Sequence, residues 1–304
     1  MKHSMLQGAL RELDAVRFED TAMPKQVHMT ARSRVLEGDV LANFKHIQAQ
    51  NPDWRLTVYD DADIEAFLGE QFGPHVLGIY RALNTRYGAA RADLFRYLCV
   101  FRLGGLYLDL KSTTTMSLDQ WIRASDRFIL SQWDNGPDAK YSDWGLHAGV
   151  RHISGGEYQQ WFVAASPGHP YLRAVCERVL RNIVSYGPVP ARFGRQGVLH
   201  VTGPIAYSQA IHAIRDQHPH RFLDVEREGG LRYSFYEGQG DHFKLSAVHY
   251  SVLTEPIVRL PAFQTRVFGL ARTCQGHWQA GHKRIIANLV KLKRLLRGAI
   301  GSRG

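Results

Sequence analysis

The chain has 304 residues, of which 44% are hydrophobic and 22% charged. These proportions suit a folded globular protein and exclude a disordered or fibrous one. Three cysteines lie far apart without a CxxC pair (Cys99, Cys176 and Cys274). That argues against a disulfide scaffold or a thiolate zinc site and favours a reducing compartment. The formal net charge of +10 suggests an anionic partner, but no acidic residue follows Glu255, and ten basic residues lie between Pro256 and Gly304. The first 255 residues are formally neutral. A nucleic-acid-binding fold more often spreads its basic residues over the body, so nucleic acid is not the expected partner.

In chain order, Met1 to Asp20 carries charges through its apolar positions and lacks the core of a signal peptide. Residues 1–20 read as an amphipathic helix built on Leu6, Leu10 and Leu13. No apolar run approaches the ~20 residues that span a bilayer, so a cytoplasmic protein is expected. Lys25 to Thr30 reads as a strand, and Trp54 to Tyr59 alternates with strand period. Asp60-Asp61 offers a cap for a helix through Leu68. Helices are predicted for Val76 to Leu83 and Ala89 to Leu103, the second ended by Gly104-Gly105. Strands follow at Leu106 to Leu110, Phe128 to Trp133 and Tyr158 to Ala165, then a helix from Pro170 to Ser185. Thr202 reads as a helix cap with Pro204 in the first turn, leading through Arg215. Arg221 to Val225, Leu231 to Tyr236 and Ala247 to Ser251 read as strands. Alternating strands and helices predict an α/β sheet. The expected organisation is an N-terminal helix (1–20), one main domain (21–280) and a C-terminal appendage (281–304).

The informative segment is 91–112. Asp93 and Arg96 share a helix face. After Gly-Gly, Leu106, Leu108 and Leu110 point to one side of a strand, and Tyr107, Asp109 and Lys111 to the other. Taken singly, an i,i+3 ion pair, a Gly-Gly turn and a lysine at a strand end are ordinary surface features. Together they place polar groups where a strand runs out, which is where α/β sheets gather ligands.

The run ARADLFRY, Gly104-Gly105 and Leu106-Tyr-Leu-Asp-Leu110 resembles the sugar-binding region of family 32 glycosyltransferases. That group includes yeast initiating mannosyltransferases and clostridial glucosylating toxins. Pro24-Lys-Gln-Val-His28, Asn51-Pro52 through Asp61, Pro167-Gly-His-Pro170 and Thr202-Gly-Pro204 are similar to further family segments, in the expected order. The resemblance covers roughly residues 22 to 210. It implies a GT-A-type fold with a mixed central sheet flanked by helices, a nucleotide-sugar donor, a glycan or lipid-linked oligosaccharide acceptor, and retention of anomeric configuration. Asp93 and Arg96 match the pair that holds donor-sugar hydroxyls. Tyr107 matches the aromatic before the DxD motif, and Asp109 matches the first Asp of that motif, facing ribose, sugar and metal. His28 and Thr30 on the opening strand are expected to bind the donor.

This chain departs from the pattern twice. Lys111 stands where the second Asp ligates the metal, and an ammonium cannot ligate a cation. The divalent metal (Mn or Mg) that the resemblance implies is therefore in doubt. Three readings stay open: Lys111 offsets diphosphate charge itself, it is solvated while Asp109 holds a metal, or the chain binds nucleotide sugar or glycan without turnover. Ala31 replaces the family's stacking Trp, which leaves base recognition open. Late in the chain, Trp278 is expected to donate its indole N–H to a donor phosphate, with ordinary packing as the alternative. Ile285, Leu289, Leu292, Leu296 and Ile300 form one face of a predicted helix, with Lys291, Lys293, Arg294 and Arg297 off it. This predicts peripheral binding to an anionic membrane at its inner face. Packing on the domain is the alternative.

Overall fold

The structure, a computed structural model, describes residues 2–187, 192–236 and 250–273. Segments rich in β-branched and aromatic residues pair into a six-stranded sheet. Its strands are β1 (Gln26–Thr30), β2 (Arg55–Tyr59), β3 (Gly105–Leu108), β5 (Phe128–Leu130), β6 (Phe162–Ala165) and β7 (Arg221–Phe222), in the order β2-β1-β3-β6-β5-β7. The β2, β1 and β3 strands are parallel, with His28 opposite both Thr57 and Tyr107. β6 runs antiparallel to β3 and β5, and β7 is parallel to β5. The remaining strands, β4 (Thr113–Thr114) and β8 (Leu231–Arg232), form a separate antiparallel pair.

Side-chain alternation in these strands feeds two cores, one on each side of the sheet. Leu106, Leu108, Ile129, Phe162 and Ala164 join Trp54, Trp121, Trp133 and Trp161 in one cluster. Their neighbours Tyr107, Phe128, Leu130, Val163 and Ala165 join the larger helical core. That core includes α1 (Lys2–Asp14), α4 (Pro74–Ala82), α5 (Gly88–Leu103), α6 (Pro170–Ser185), α7 (Gly194–Val201) and α8 (Pro204–His212). Two further helices are α2 (Gly38–Gln50), which lies against β4, and α3 (Asp61–Gln71), which begins in a full capping box on Asp60. A mixed central sheet flanked by helices is the arrangement expected of a GT-A-type protein.

Local rules located most elements, and the differences have physical reasons. The α6 bounds agree with the pattern, and Pro74 opens α4 as helix-entry prolines do. Leu6, Ala9 and Leu13 of α1 are buried against the helical core, and the Glu12 carboxylate accepts from the backbone N–H of His75 and Val76 at 3.0 and 2.8 Å. The N-terminal helix is thus built into the domain rather than preceding it. Thr202 does not cap α8. It ends α7, and Gly203 is the residue before Pro204. The α2 and α7 helices were not foreseen: α2 buries only Asn43 and Ile47, and α7 is only eight residues long and contains Gly194 and Gly197. Tyr250–Val252 forms a short 3-10 turn where a strand was expected. The predicted residues 247–249 of that strand, Trp278 and the basic C-terminal helix lie outside the described residues.

The α5 helix determines the site. From Ala90 to Phe101 nearly every side chain is buried, so the helix has no polar face and runs through the core. Its reversal into β3 requires Gly104 and Gly105, at φ of 69° and 88°. Any Cβ at Gly105 would sit 2.6 Å from the Gln26 carbonyl oxygen. A side chain there would push β3 away from β1, and with it everything that follows on β3.

Candidate active site

Asp93 and Arg96 are buried within α5, and the chain brings Asp109 back to them just past β3. The Arg96 guanidinium lies 3.2 Å from Asp93 and 3.1 Å from Asp109, and its other nitrogen donates to the Gln160 carbonyl at 2.6 Å. Its plane rests 4.7 Å from the Tyr107 ring centre. Burial works against this charge, but Asp109, Tyr107 and Asp93 together outweigh it and push the Arg96 pKa upward. It is a fixed cation joining two carboxylates.

Asp93 is the buried end of this network. One oxygen accepts from Gln160 Nε2 at 3.2 Å, the other from Thr202 Oγ1 at 2.9 Å. Burial raises the Asp93 carboxyl above its ordinary pKa, and Arg96 and Thr202 partly offset the rise. Tyr97 ties the same residues, donating to Gln160 Oε1 at 3.1 Å and to the Thr202 carbonyl at 3.0 Å. Asp93 is buried among these groups, so it positions the side chains of Arg96, Gln160 and Thr202.

The strand pattern overreached at its end. β3 stops at Leu108, and Asp109 to Ser112 close a turn through Ser112 N–H to the Asp109 carbonyl at 2.8 Å. Tyr107 and Lys111 therefore do not share a face. Tyr107 is buried toward α5, with its hydroxyl 2.9 Å from Thr30 Oγ1. Lys111 turns the other way and donates to Tyr233 Oη at 2.7 Å, lying 3.9 Å from that ring's centre. The side chains of Asp109 and Lys111 are 23% and 16% exposed, and their charged groups are 3.8 Å apart. These two groups, rather than Asp93 and Arg96, meet solvent.

His28 is turned inward. Its Nε2 lies 3.1 Å from the Gly104 carbonyl, which can only accept, so that nitrogen carries the proton and Nδ1 is left to accept from Tyr59 Oη at 3.2 Å. Burial lowers its pKa to about 4 against the pull of the Gly104 carbonyl. It is a neutral imidazole joining β1 to the turn after α5, with no nitrogen left for a ligand. Thr30 is half-buried at the end of β1.

A divalent cation fits the described residues poorly. The two Asp109 oxygens face Arg96 and Lys111, whereas hard cations take several oxygen ligands. Among the described residues, no group of three or more His, Cys, Asp or Glu side chains is placed to hold a metal ion.

Sequence reasoning missed Gln160 and Tyr233. They stand 64 and 122 residues from the side chains they serve, and no local pattern marks them. Thr202 was noticed, but for its place beside Gly-Pro.

Parts of the chain are similar to known proteins. Residues 38–128 match the family described as "Glycosyltransferase sugar-binding region containing DXD motif". An "Initiation-specific alpha-1,6-mannosyltransferase" of Candida albicans is 25% identical over 191 residues, 57% of this chain and 47% of that protein. The "Putative glycosyltransferase HOC1" of Saccharomyces cerevisiae is 28% identical over 143 residues, 44% of this chain and 34% of its own. The "Inositol phosphoceramide mannosyltransferase 3" of Schizosaccharomyces pombe is 24% identical over 190 residues, 62% of this chain and 45% of its own. The chain spans about half or less of the length of these curated relatives. Among solved structures, "PaToxG Glycosyltransferase" aligns with a TM-score of 0.45 at 13% identity, covering 89% of this chain and 92% of its own. The matched segment is similar to the sugar-binding region of these glycosyltransferases, and it contains α5, the glycine reversal and the Asp109 turn.

Proposed function

We propose that this protein is a retaining hexosyltransferase that moves a sugar, mannose being the first candidate, from a nucleotide donor to a glycan or lipid-linked acceptor. One observation carries the reading. Arg96 joins the helix carboxylate Asp93 to the turn carboxylate Asp109 beside the carboxyl ends of β1 and β3, where α/β sheets bind ligands. In the proposed reaction the bond from the anomeric carbon to the donor diphosphate breaks. The acceptor hydroxyl forms its bond on the same face, and its proton passes to the leaving phosphate. Protein groups then contribute positioning and charge. Asp109 orients the ribose–sugar junction, and Arg96 keeps Asp109 in place. Lys111 offsets developing diphosphate charge in place of a second carboxylate and its metal.

A thermal-shift panel of nucleotide sugars, each with and without manganese, tests the donor and the metal together. A shift by one donor without manganese is the expected result. A shift that requires manganese would return the charge role to a cation. Activity under exhaustive chelation extends the test, and full loss rescued by manganese would remove Lys111 from that role.

We also propose that the C-terminal basic segment holds the protein at the inner face of an anionic membrane. No helix of the described residues is long and apolar enough to cross one. Sedimentation with anionic liposomes, with and without residues 281–304, checks this, and equal binding by both forms would refute it.

A further inference from the structure

Lys111 and Trp144 touch the same ring. Tyr233 accepts from Lys111 Nζ, and its ring meets the Trp144 ring edge-on, with centroids 5.7 Å apart. Trp133 and Tyr141 brace Trp144, each at 5.2 Å. Trp161, whose carbonyl accepts from the Asp109 N–H at 2.9 Å, packs on Tyr233 at 5.8 Å. An aromatic cluster therefore runs unbroken from the Asp109–Lys111 turn to the surface. Trp133, Tyr141 and Trp161 are buried, whereas Trp144 is 42% exposed and Leu146 beside it 54%.

Polar groups are tied to the same brace. The buried Glu157 accepts from Trp133 Nε1 at 2.9 Å, and its other oxygen lies 3.1 Å from Nε2 of the partly exposed His147. An indole held by neighbouring rings keeps its exposed part presented at little conformational cost, and His147, three residues on and partly exposed, adds a hydrogen-bonding group. A pyranose has the complementary shape, with an apolar C–H face and a rim of hydroxyls. Binding sites of this kind combine aromatic area with a few placed polar groups.

We propose that Trp144, with Leu146 and His147 beside it, is the subsite for the acceptor sugar. Tyr233 is the partition between that sugar and the donor charges on Lys111 and Asp109. The proposal rests on the glycosyltransferase reading above and adds where the acceptor sits. Continuity with the Asp109–Lys111 turn favours a sugar over any other occupant, because a transferase must hold both substrates side by side.

Calorimetric titration of the full chain with α-1,6-linked mannotriose tests the subsite, independently of turnover. Wild type is expected to bind, Trp144→Ala to bind about tenfold more weakly, and Trp144→Phe to fall between, since it keeps a ring in place. All three should give the same thermal shift with a nucleotide sugar. No binding by wild type, or equal binding by Trp144→Ala and wild type, would overturn the subsite. A matching loss of the nucleotide-sugar shift in both variants would overturn it as well, assigning Trp144 to the donor or to the fold. Absence of transfer by wild type with the binding contrast intact would strike the glycosyltransferase reading alone.

Discussion

Two halves of the site are built on opposite physical terms. Around α5, charge is buried and its partners are fixed: Asp93, Arg96 and Thr202 are buried, and with the partly buried Gln160 they satisfy one another. Beyond β3, charge is half-open and set among aromatic rings, with Lys111 against Tyr233 and Trp144 at the surface. A buried charge network is costly to disturb and suits a scaffold. The open side leaves polar atoms and ring faces for a ligand. Removing groups from the first half should therefore cost stability and activity together, and from the second mainly activity.

The largest effect is expected from Arg96→Ala. It strands Asp93 in the core and deprives Asp109 of its partner, so we expect a loss of about 3–5 kcal/mol in urea unfolding together with loss of transfer. A stable, active variant would show that the buried half is not a scaffold. Asp109→Asn keeps shape at the boundary between the halves. Transfer should fall by about 10²–10³-fold with the unfolding curve nearly unchanged, and retained turnover would remove Asp109 from the chemistry.

Acid separates the halves next. The folded-state pKa of His28 is lowered to about 4 from 6.5, so the unfolded chain takes up the proton first as pH falls. The stability it contributes is complete above about pH 6.5 and is lost as pH drops toward 4, on the order of 3 kcal/mol in all. Asp93, whose pKa is raised, acts in the opposite sense and favours the fold as it gains a proton. Unfolding free energies of wild type and His28→Gln across that range should converge at the acid end if His28 dominates. Parallel curves would exclude it.

Tyr233→Phe is the smallest and sharpest change. It keeps the ring between Lys111 and Trp144 and removes only the hydroxyl. A loss of one hydrogen bond predicts a fall of about fivefold in kcat at unchanged melting temperature. A large drop in stability instead would place Tyr233 with the scaffold half.

The sequence was legible where interactions are local. Asp60 capping a helix, Gly104-Gly105 reversing the chain and the i,i+3 placement of Asp93 and Arg96 follow from backbone geometry over a few residues. The charge asymmetry and the family resemblance were equally visible, since both are properties of residue order. Where the polar row would face was not: two residues of assumed strand beyond Leu108 put Lys111 beside Tyr107, and the turn at Ser112 reversed that. His28 read as a donor ligand, and the fold made it a neutral joint between strands. In each case the deciding partner, Tyr233 for Lys111 or Gly104 for His28, lies far along the chain. A sequence determines which groups can ionise, bond or cap nearby. Only tertiary packing decides which of them keep water as a neighbour, because burial and distant partners depend on contacts that no local spacing encodes.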